Sequence, residues 1–310
     1  MQRLTTLVFL LVTVALCLNP AAAQPGIVGL RPPIIDMHLH AYRLDEGKPL
    51  EVNPVTGRPS AARTSAELRD MSLAELERYN IVKAVASGPP EMADQWHDTA
   101  PDRIMVGVLV DELNPLPDLA GLRAEIKAGR VQVLGELVLQ HIGMAPNDPC
   151  LEPYYALAEE MDIPVAIHTG IGPAGIPYDP CCPHFRVTLG NPILVEEVLV
   201  RHPRLRIYLM HGGWPYLQET KAILSVYPQV YADLATINWI IPREEFHSYL
   251  RELIRAGFGK RLLFGSDQMV WPETIGMAVD GIESAAFLTE EEKRDIFYNN
   301  AVRFLRLDGK

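Results

Sequence analysis

Eight apolar segments, rich in Leu, Ile and Val and separated by helical patterns, follow one another along most of this chain. Apolar runs of this length are typical of strands buried on both faces. They predict strands at 34–38, 81–86, 104–110, 131–138, 163–168, 205–211, 230–235 and 262–267. The spacing of apolar residues predicts helices at 65–79, 118–128, 152–161, 191–201, 215–225, 244–256 and 289–306. Eight strands separated by helices favour an α/β fold of the closed (β/α)8 TIM-barrel type over an open doubly wound sheet.

The length of the chain fits one such domain. Residues 24–310 suit a single barrel, for which about 250 residues is usual, with modest insertions. No glycine-rich dinucleotide fingerprint follows any of the predicted strands, and the sequence contains no P-loop. These features count against a nucleotide cofactor.

The first 23 residues have the pattern of a secretory signal peptide. Arg3 supplies a positive start, 7–18 an apolar stretch, and the alanines at 21–23 a small-residue cleavage site before Gln24. The alternative is a membrane anchor, but a spanning helix needs about 20 apolar residues and this run is shorter. We therefore expect a periplasmic or secreted protein with no stable membrane insertion after cleavage.

The charge of the chain bears on its partners. It has 28 basic and 39 acidic residues, a formal net charge of −11, and no basic block. A protein that binds nucleic acid usually presents a basic patch or stripe. The balance thus argues against a nucleic-acid partner and favours a small-molecule substrate, while a monomer and a homo-oligomer both stay open.

Polar residues end several of the apolar runs. His38 and His40 are two residues apart on the first predicted strand, so both side chains point to the same face. His168, His211 and Asp267 end the fifth, sixth and eighth predicted strands. Because the C-terminal ends of the strands in a parallel barrel converge on one rim, these residues would meet there. Nitrogen and carboxylate ligands suit a divalent metal, with Zn²⁺ most favoured and Mn²⁺, Fe²⁺ or Co²⁺ also acceptable.

The motifs around these residues form an ordered set. They are Asp36-x-His38-x-His40, His168-Thr169-Gly170, His211-Gly212-Gly213, Gly265-Ser266-Asp267 and a closing Asn299-Asn300-Ala301-x-Arg303-Phe304-Leu305. From about residue 34 to 307, this set resembles the amidohydrolase superfamily. It is most similar to the amidohydrolase-related branch, in which hydrolases, lactonases and some decarboxylases share one barrel.

The resemblance implies a role for each residue. His38, His40 and His168 match metal-binding histidines of the family. Asp267 matches an aspartate that ligates metal and can take a proton from the attacking water. His211 matches a histidine that binds a second metal in binuclear members, and in mononuclear members lies near the reacting group as acid, base or carbonyl polariser.

Glu136 ends the fourth predicted strand, where many binuclear relatives carry a modified lysine and some branches carry a glutamate. A carboxylate at this place can bridge two ions, hold one ion, or orient a ligand without touching metal. The number of ions, one or two, stays open, and a bridging role would favour two.

The expected chemistry follows from the metal. A bound divalent ion lowers the pKa of its water from about 15.7 to about 7, which supplies hydroxide near neutral pH. We expect attack on a small ester, lactone or amide, with Asp267 handling the proton and His211 or the metal polarising the carbonyl. One alternative is a decarboxylase of an aromatic or unsaturated carboxylic acid, and another is a metal-binding protein without catalysis.

The segment 169–186 after the fifth strand is expected to lie over the barrel mouth, where loops carry specificity. Arg186 and His184 could bind a substrate carboxylate, and Trp214 could form a pocket wall. The alternatives are a rigid lid in which Arg186 pairs with a local acid, and a Trp214 that only packs at the rim.

Three cysteines follow the signal segment, namely Cys150, Cys181 and Cys182. An odd number leaves at least one thiol unpaired unless it bonds another chain or a ligand. A disulfide from Cys150 to Cys181 or Cys182 is favoured over a metal role, because neither a Cys-x-x-Cys pattern nor a partnering histidine motif accompanies the pair. Free thiols without a chemical role are the alternative.

Overall fold

A computed structural model describes residues 31–45 and 47–307, so the expected signal peptide at 1–23 lies outside the described residues. In the described part, one sheet contains eight parallel strands that neighbour each other in chain order. The strands are β1 (Ile34–His40), β2 (Ile81–Gly88), β3 (Ile104–Val108), β4 (Val131–Leu137), β5 (Val165–Ile167), β6 (Ile207–Leu209), β7 (Val230–Asp233) and β8 (Leu262–Leu263). The predicted (β/α)8 barrel is thereby confirmed.

Backbone hydrogen bonds between β1 and the segment that follows β8 close the barrel. The Met37 amide donates to the Phe264 carbonyl at 2.9 Å, and the Asp267 amide donates to the His38 carbonyl at 2.7 Å. The second bond lies at the carboxyl end of β1. It therefore joins the backbones of two residues that the sequence singled out as metal ligands.

Helices cover the outside of the barrel. They are α1 (Ser65–Arg78), α2 (Pro90–Thr99), α3 (Leu119–Lys127), α4 (Glu152–Glu160), α5 (Glu196–Arg201), α6 (Leu217–Val226), α7 (Ile237–Ile240), α8 (Arg243–Arg255), α9 (Thr274–Glu283), α10 (Glu290–Arg294) and α11 (Asn300–Leu305). Short 3₁₀ segments occupy Pro149–Leu151, Ile176–Tyr178, Val187–Gly190, Pro192–Val195, Met210–Gly213 and Gly259–Arg261, and a π segment occupies Asp295–Asn299. Among the described residues, no helix has both the length and the hydropathy needed to cross a bilayer.

The hydrophobic core has two parts. The larger cluster fills the space between strands and helices, and the smaller one includes Met37, Tyr208 and Leu263 together with Phe304 of α11. All seven residues of β1 are buried, which explains why this strand reads as a continuous run with little alternation. Because apolar side chains fill the interior of the barrel, the polar residues lie at the carboxyl ends of the strands.

Six strands are shorter than the sequence predicts, and three of them stop before a candidate ligand. The predicted strands 163–168, 205–211 and 262–267 shrink to β5, β6 and β8, so His168, His211 and Asp267 lie just beyond the ladders. The backbone of His211 has φ of 58° and that of Asp267 has φ of 49°. A β-strand cannot contain residues in this left-handed region, so the strands end before them.

The helices also differ from prediction in places. The predicted helix 289–306 is divided into α10, the π segment and α11, while α2, α7 and α9 were not predicted. Pro90 is the first residue of α2, where the missing N–H costs no hydrogen bond.

Candidate metal centre

Six side chains chosen from the sequence meet at the carboxyl end of the barrel. His38 and His40 come from β1 and Glu136 from β4, and the other three follow β5, β6 and β8, namely His168, His211 and Asp267. Their side chains are at most 11% exposed. The topology thus brings together residues from five strands, separated by up to 229 positions in the chain.

Two imidazole nitrogens and one carboxylate oxygen form the first group. His38 Nε2 lies 3.3 Å from His40 Nε2 and 3.8 Å from Asp267 Oδ1, and His40 Nε2 lies 2.9 Å from Asp267 Oδ1. Asp267 Oδ1 is buried and accepts no hydrogen bond from the described residues. Such an oxygen is costly to bury unless a cation or donor satisfies it, so the three residues fit a shared metal ion.

The two oxygens of Glu136 face different pairs of histidines. Oε2 lies 3.3 Å from Nε2 of both His38 and His40. Oε1 lies 2.7 Å from His168 Nδ1 and 3.6 Å from His211 Nε2, and these two nitrogens are 3.1 Å apart. A carboxylate with one oxygen toward each nitrogen pair has the arrangement needed to bridge two cations.

Hydrogen bonds on the far side orient two of the histidines. His38 Nδ1 lies 3.2 Å from Asp233 Oδ2, and His211 Nδ1 lies 3.2 Å from the Ala235 carbonyl oxygen. When either ring is neutral, this hydrogen bond keeps its proton on Nδ1, so that Nε2 can offer a lone pair to a metal ion in the cluster. Asp233 also accepts from the His211 amide at 2.8 Å through Oδ1.

Sequence reasoning missed Asp233. It is completely buried and ends β7, the same position that its neighbours in the cluster have on their own strands. The position of Asp233 at the end of an apolar run could have indicated a place at the metal centre. It was overlooked because no histidine lies near it in the sequence.

Local structure fixes the two carboxylates of the centre. The Thr236 hydroxyl donates to Asp267 Oδ2, which directs Oδ1 to the histidines. Ser87 Oγ donates to the Gly135 carbonyl at 2.7 Å and accepts from the Glu136 amide at 3.1 Å. Gly135 has φ of 139°, and a Cβ there would lie 2.4 Å from the Ala166 carbonyl oxygen. Glycine is thus required next to Glu136.

The burial and the charges of the centre shift its pKa values. Burial opposes ionisation of Glu136, but the charge of His38 and contacts with the other histidines hold the pKa of Glu136 well below its usual range. Burial likewise opposes ionisation of Asp267, and nearby histidines lower its pKa. Burial, joined by the charge of His211, lowers the pKa of His168 to about 4. Ionised carboxylates and a neutral His168 are the protonation states that bind metal.

The substrate residues chosen from the sequence lie outside this network. His184 and Arg186 are exposed, and Arg186 Nη1 donates to the carbonyls of Phe185 at 2.6 Å and Pro183 at 3.3 Å, not to a local acid. Trp214 is partly buried, and its Nε1 donates to Glu245 Oε1 at 3.3 Å. No hydrogen bond or ion pair joins these three to the centre within the described part, and their substrate role stays a prediction.

The expected disulfide pairing is wrong. The bond joins Cys181 to Cys182, and Cys150 is a free, exposed cysteine. Cys150 lies in the 3₁₀ segment before α4, with its thiol 3.6 Å from Met144 Sδ. The two loop cysteines are instead adjacent, and Cys182 is turned inward against His141.

Solved structures share this fold at low sequence identity. An uncharacterised TIM-barrel protein of Bordetella bronchiseptica is 19% identical, with a TM-score of 0.64 over 90% of this chain and 100% of that one. The 2,6-dihydroxybenzoate decarboxylase of Rhizobium is 16% identical, with a TM-score of 0.60 over 89% and 99%. A probable 2-pyrone-4,6-dicarboxylic acid hydrolase of Acinetobacter baumannii, with citric acid bound, is 16% identical, with a TM-score of 0.59 over 88% and 99%.

Sequence comparisons identify the family. Protein fluG of Emericella nidulans is 26% identical over 160 residues, which are 47% of this chain. The match spans only 18% of the length of that curated relative. The amidohydrolase family model matches residues 35–307, which include all six residues of the centre. The chain therefore belongs to the amidohydrolase family, whose members are metal-dependent enzymes.

Proposed function

We propose that this protein is a metal-dependent hydrolase that acts on a small ester, lactone or amide with two divalent ions. The proposal rests on the position of Glu136 between two pairs of histidines. Its Oε2 lies 3.3 Å from Nε2 of both His38 and His40. Its Oε1 lies 2.7 Å from His168 Nδ1 and 3.6 Å from His211 Nε2. Asp267 adds a buried oxygen without a hydrogen-bond partner among the described residues.

Each residue of the centre has a role in this proposal. His38, His40 and Asp267 would hold one ion, and His168 and His211 would hold the other. Glu136 would bridge them. The nitrogen and oxygen donors favour Zn²⁺, while Mn²⁺, Fe²⁺ or Co²⁺ would also fit. Because His211 uses Nδ1 for the Ala235 carbonyl, its Nε2 serves better as a ligand than as a proton donor to substrate.

Asp267 is proposed to move the proton. When bound, a divalent ion polarises a carbonyl oxygen and makes water acidic enough to act near neutral pH. Asp267 is ionised, because the nearby histidines lower its pKa despite burial. It can accept the proton of the attacking water and can then pass that proton to the leaving group. The Thr236 hydroxyl, which donates to Oδ2, holds the carboxylate in place.

The charges around the centre favour hydrolysis over decarboxylation. Within the described residues, Arg206 is the one buried arginine or lysine, and it lies at the opposite end of the barrel, where it donates to the Phe304 carbonyl and to Asp162. Among the described residues, no buried arginine or lysine therefore lies beside the centre to hold a substrate carboxylate. An uncharged carbonyl substrate needs none. Decarboxylation is the alternative that the experiment must exclude.

A panel of substrates tests the proposal. Purified, metal-loaded protein is incubated with lactones, esters, amides and aromatic carboxylic acids, and both acid release and carbon dioxide release are followed. Acid release from a carbonyl substrate, lost in Asp267→Asn, supports the hydrolase. Carbon dioxide release would make the protein a lyase, and no turnover with metal bound would favour a binding protein.

We also propose that residues 1–23 are removed as a signal peptide and that the protein is exported to the periplasm or secreted. The support is the charged start, the apolar stretch and the small-residue site in the sequence. Intact-mass measurement of the protein from the exporting cells tests this. A mature chain that begins at Gln24 is expected, and an uncleaved chain retained inside the cell would contradict it.

A further inference from the structure

The disulfide lies against a histidine near the metal centre. Cys181 is exposed, whereas Cys182 is completely buried, with Sγ 3.9 Å from His141 Nδ1. The His141 ring in turn contacts the rings of His168 and Phe185, with centroid distances of 5.5 and 5.4 Å. The outer cysteine is therefore open to solvent reductants, while the inner one faces a side chain beside the centre.

A carboxylate completes this arrangement. Glu112 Oε2 lies 3.6 Å from His141 Nδ1, and the donor atoms of Glu112, His141 and Cys182 all lie within 4.8 Å of one another. The three residues come from three consecutive loops, after β3, β4 and β5. The Glu112 and His141 side chains are 24% and 13% exposed, and His141 Nε2 is buried without a hydrogen-bond partner in the described residues.

The donor atoms of Glu112, His141 and Cys182 indicate which metal ions this cluster could bind. Oxygen, nitrogen and sulfur together suit Zn²⁺ or Cd²⁺, and three protein ligands leave a position for water. A thiolate is required, because the sulfur of a disulfide is a poor ligand. The site is thus incomplete while Cys182 is bonded to Cys181.

We propose that reduction of the Cys181–Cys182 disulfide creates a metal site from Glu112, His141 and Cys182, distinct from the six-residue centre and selective for thiophilic divalent ions. A dithiol supplies two electrons and two protons, the S–S bond breaks into two thiols, and the dithiol becomes a disulfide. Metal binding then releases the Cys182 proton to solvent and forms the metal–sulfur bond. In the reverse step, a small-molecule disulfide accepts the two electrons and two protons and becomes two thiols, while the Cys181–Cys182 bond re-forms and the ion loses its thiolate ligand.

Two matched variants test the site with Cd²⁺ as the probe. In a background with Cys17 and Cys150 changed to Ser, Cys181→Ser leaves Cys182 as a permanent thiol, while Cys182→Ser leaves only the outer thiol. Each protein is first loaded with Zn²⁺. Cd²⁺ is then titrated while the ultraviolet charge-transfer band of a cadmium–thiolate bond is recorded. Because the six-residue centre contains no sulfur, exchange there gives no such band.

The expected result is a saturable band with the amplitude of one cadmium–thiolate bond per chain in Cys181→Ser, and no band in Cys182→Ser. Adding Glu112→Gln or His141→Gln to Cys181→Ser should weaken Cd²⁺ binding at least about tenfold. The same background with both loop cysteines retained is reduced with dithiothreitol, desalted without oxygen and titrated, and the band should appear only after reduction. Equal bands in the two serine variants, or no band after reduction, would overturn the proposal. Circular dichroism and the zinc content before titration check that each variant is folded.

Discussion

Asp233 Oδ2 lies 3.2 Å from Nδ1 of His38, on the side of the ring that faces away from the metal centre. Nε2 of the same ring lies 3.3 Å from Glu136 Oε2. Asp233 also accepts from the amides of His211 and Ala235 through Oδ1, at 2.8 and 3.0 Å. A single buried carboxylate therefore fixes one ring and the backbone beside another. Asp233 should therefore contribute to metal affinity although it is not itself a ligand, because it orients residues that are.

Asp233→Asn should weaken metal binding about 10- to 100-fold, because an amide cannot hold the His38 imidazole as firmly in the tautomer that frees Nε2. Chelator competition measures the affinity. Asp295→Asn is the matched control, since Asp295 is also buried but pairs with Lys260 at another part of the barrel. Equal affinity in Asp233→Asn and in the unmodified protein would exclude this orienting role.

Metal binding should release protons near neutral pH. Burial opposes the charged form of His38, but Asp267, Glu136 and Asp233 raise its pKa well above the ordinary value in the metal-free protein. Since a ligand nitrogen must be unprotonated, affinity should rise with pH until the raised pKa of His38 is passed. Calorimetric titration at pH 7 in buffers of different ionisation enthalpy measures the protons. A binding enthalpy that does not depend on the buffer would contradict the prediction.

Gly135→Ala should lower the free energy of unfolding by about 1–3 kcal/mol more than backbone strain alone would, because the added Cβ would lie 2.4 Å from the Ala166 carbonyl oxygen. Gly129→Ala is the control, since Gly129 also has positive φ, at 72°, but has open space around its Cβ position. The control should lose about 1 kcal/mol from backbone strain alone. Urea unfolding compares the two, and a Gly135→Ala loss no larger than that of the control would contradict the steric argument.

Asp267→Asn should lower kcat by at least about 100-fold, because the amide cannot accept the proton of the attacking water. Metal content should remain largely unchanged, since the histidines and Glu136 stay in place. Steady-state kinetics on the substrate found in the panel, together with metal analysis, gives both values. Asp98→Asn, on the exposed surface of α2, is the control. Full activity of Asp267→Asn would exclude the proposed proton transfer.

The residues that were predictable share one property. His38, His40, His168, His211 and Asp267 each end an apolar run, and parallel strands must bring their carboxyl ends together whatever the lengths of the loops. Strand burial and strand order were therefore enough to predict a cluster. The exact ends of the strands were not predictable, because the left-handed backbone of His211 and Asp267 depends on tertiary contacts.

The residues that were missed depend on loop geometry. Glu112 and His141 lie in loops after β3 and β4, and no spacing in the sequence relates them to Cys182. The disulfide between adjacent cysteines likewise follows from the path of one loop. Asp233 acts through a partner 195 positions away, so its role became visible only from the hydrogen bond to His38.

Metal stoichiometry tests the central claim most directly. Purified protein is freed of metal, titrated with Zn²⁺ and compared with Glu136→Gln and with the control Glu77→Gln on the exposed surface of α1. Two tightly bound ions per chain are expected in the unmodified protein and in the control. Glu136→Gln should lose one of them, because a neutral amide cannot bridge two cations. One ion in the unmodified protein, or two equally tight ions in Glu136→Gln, would contradict the two-metal centre.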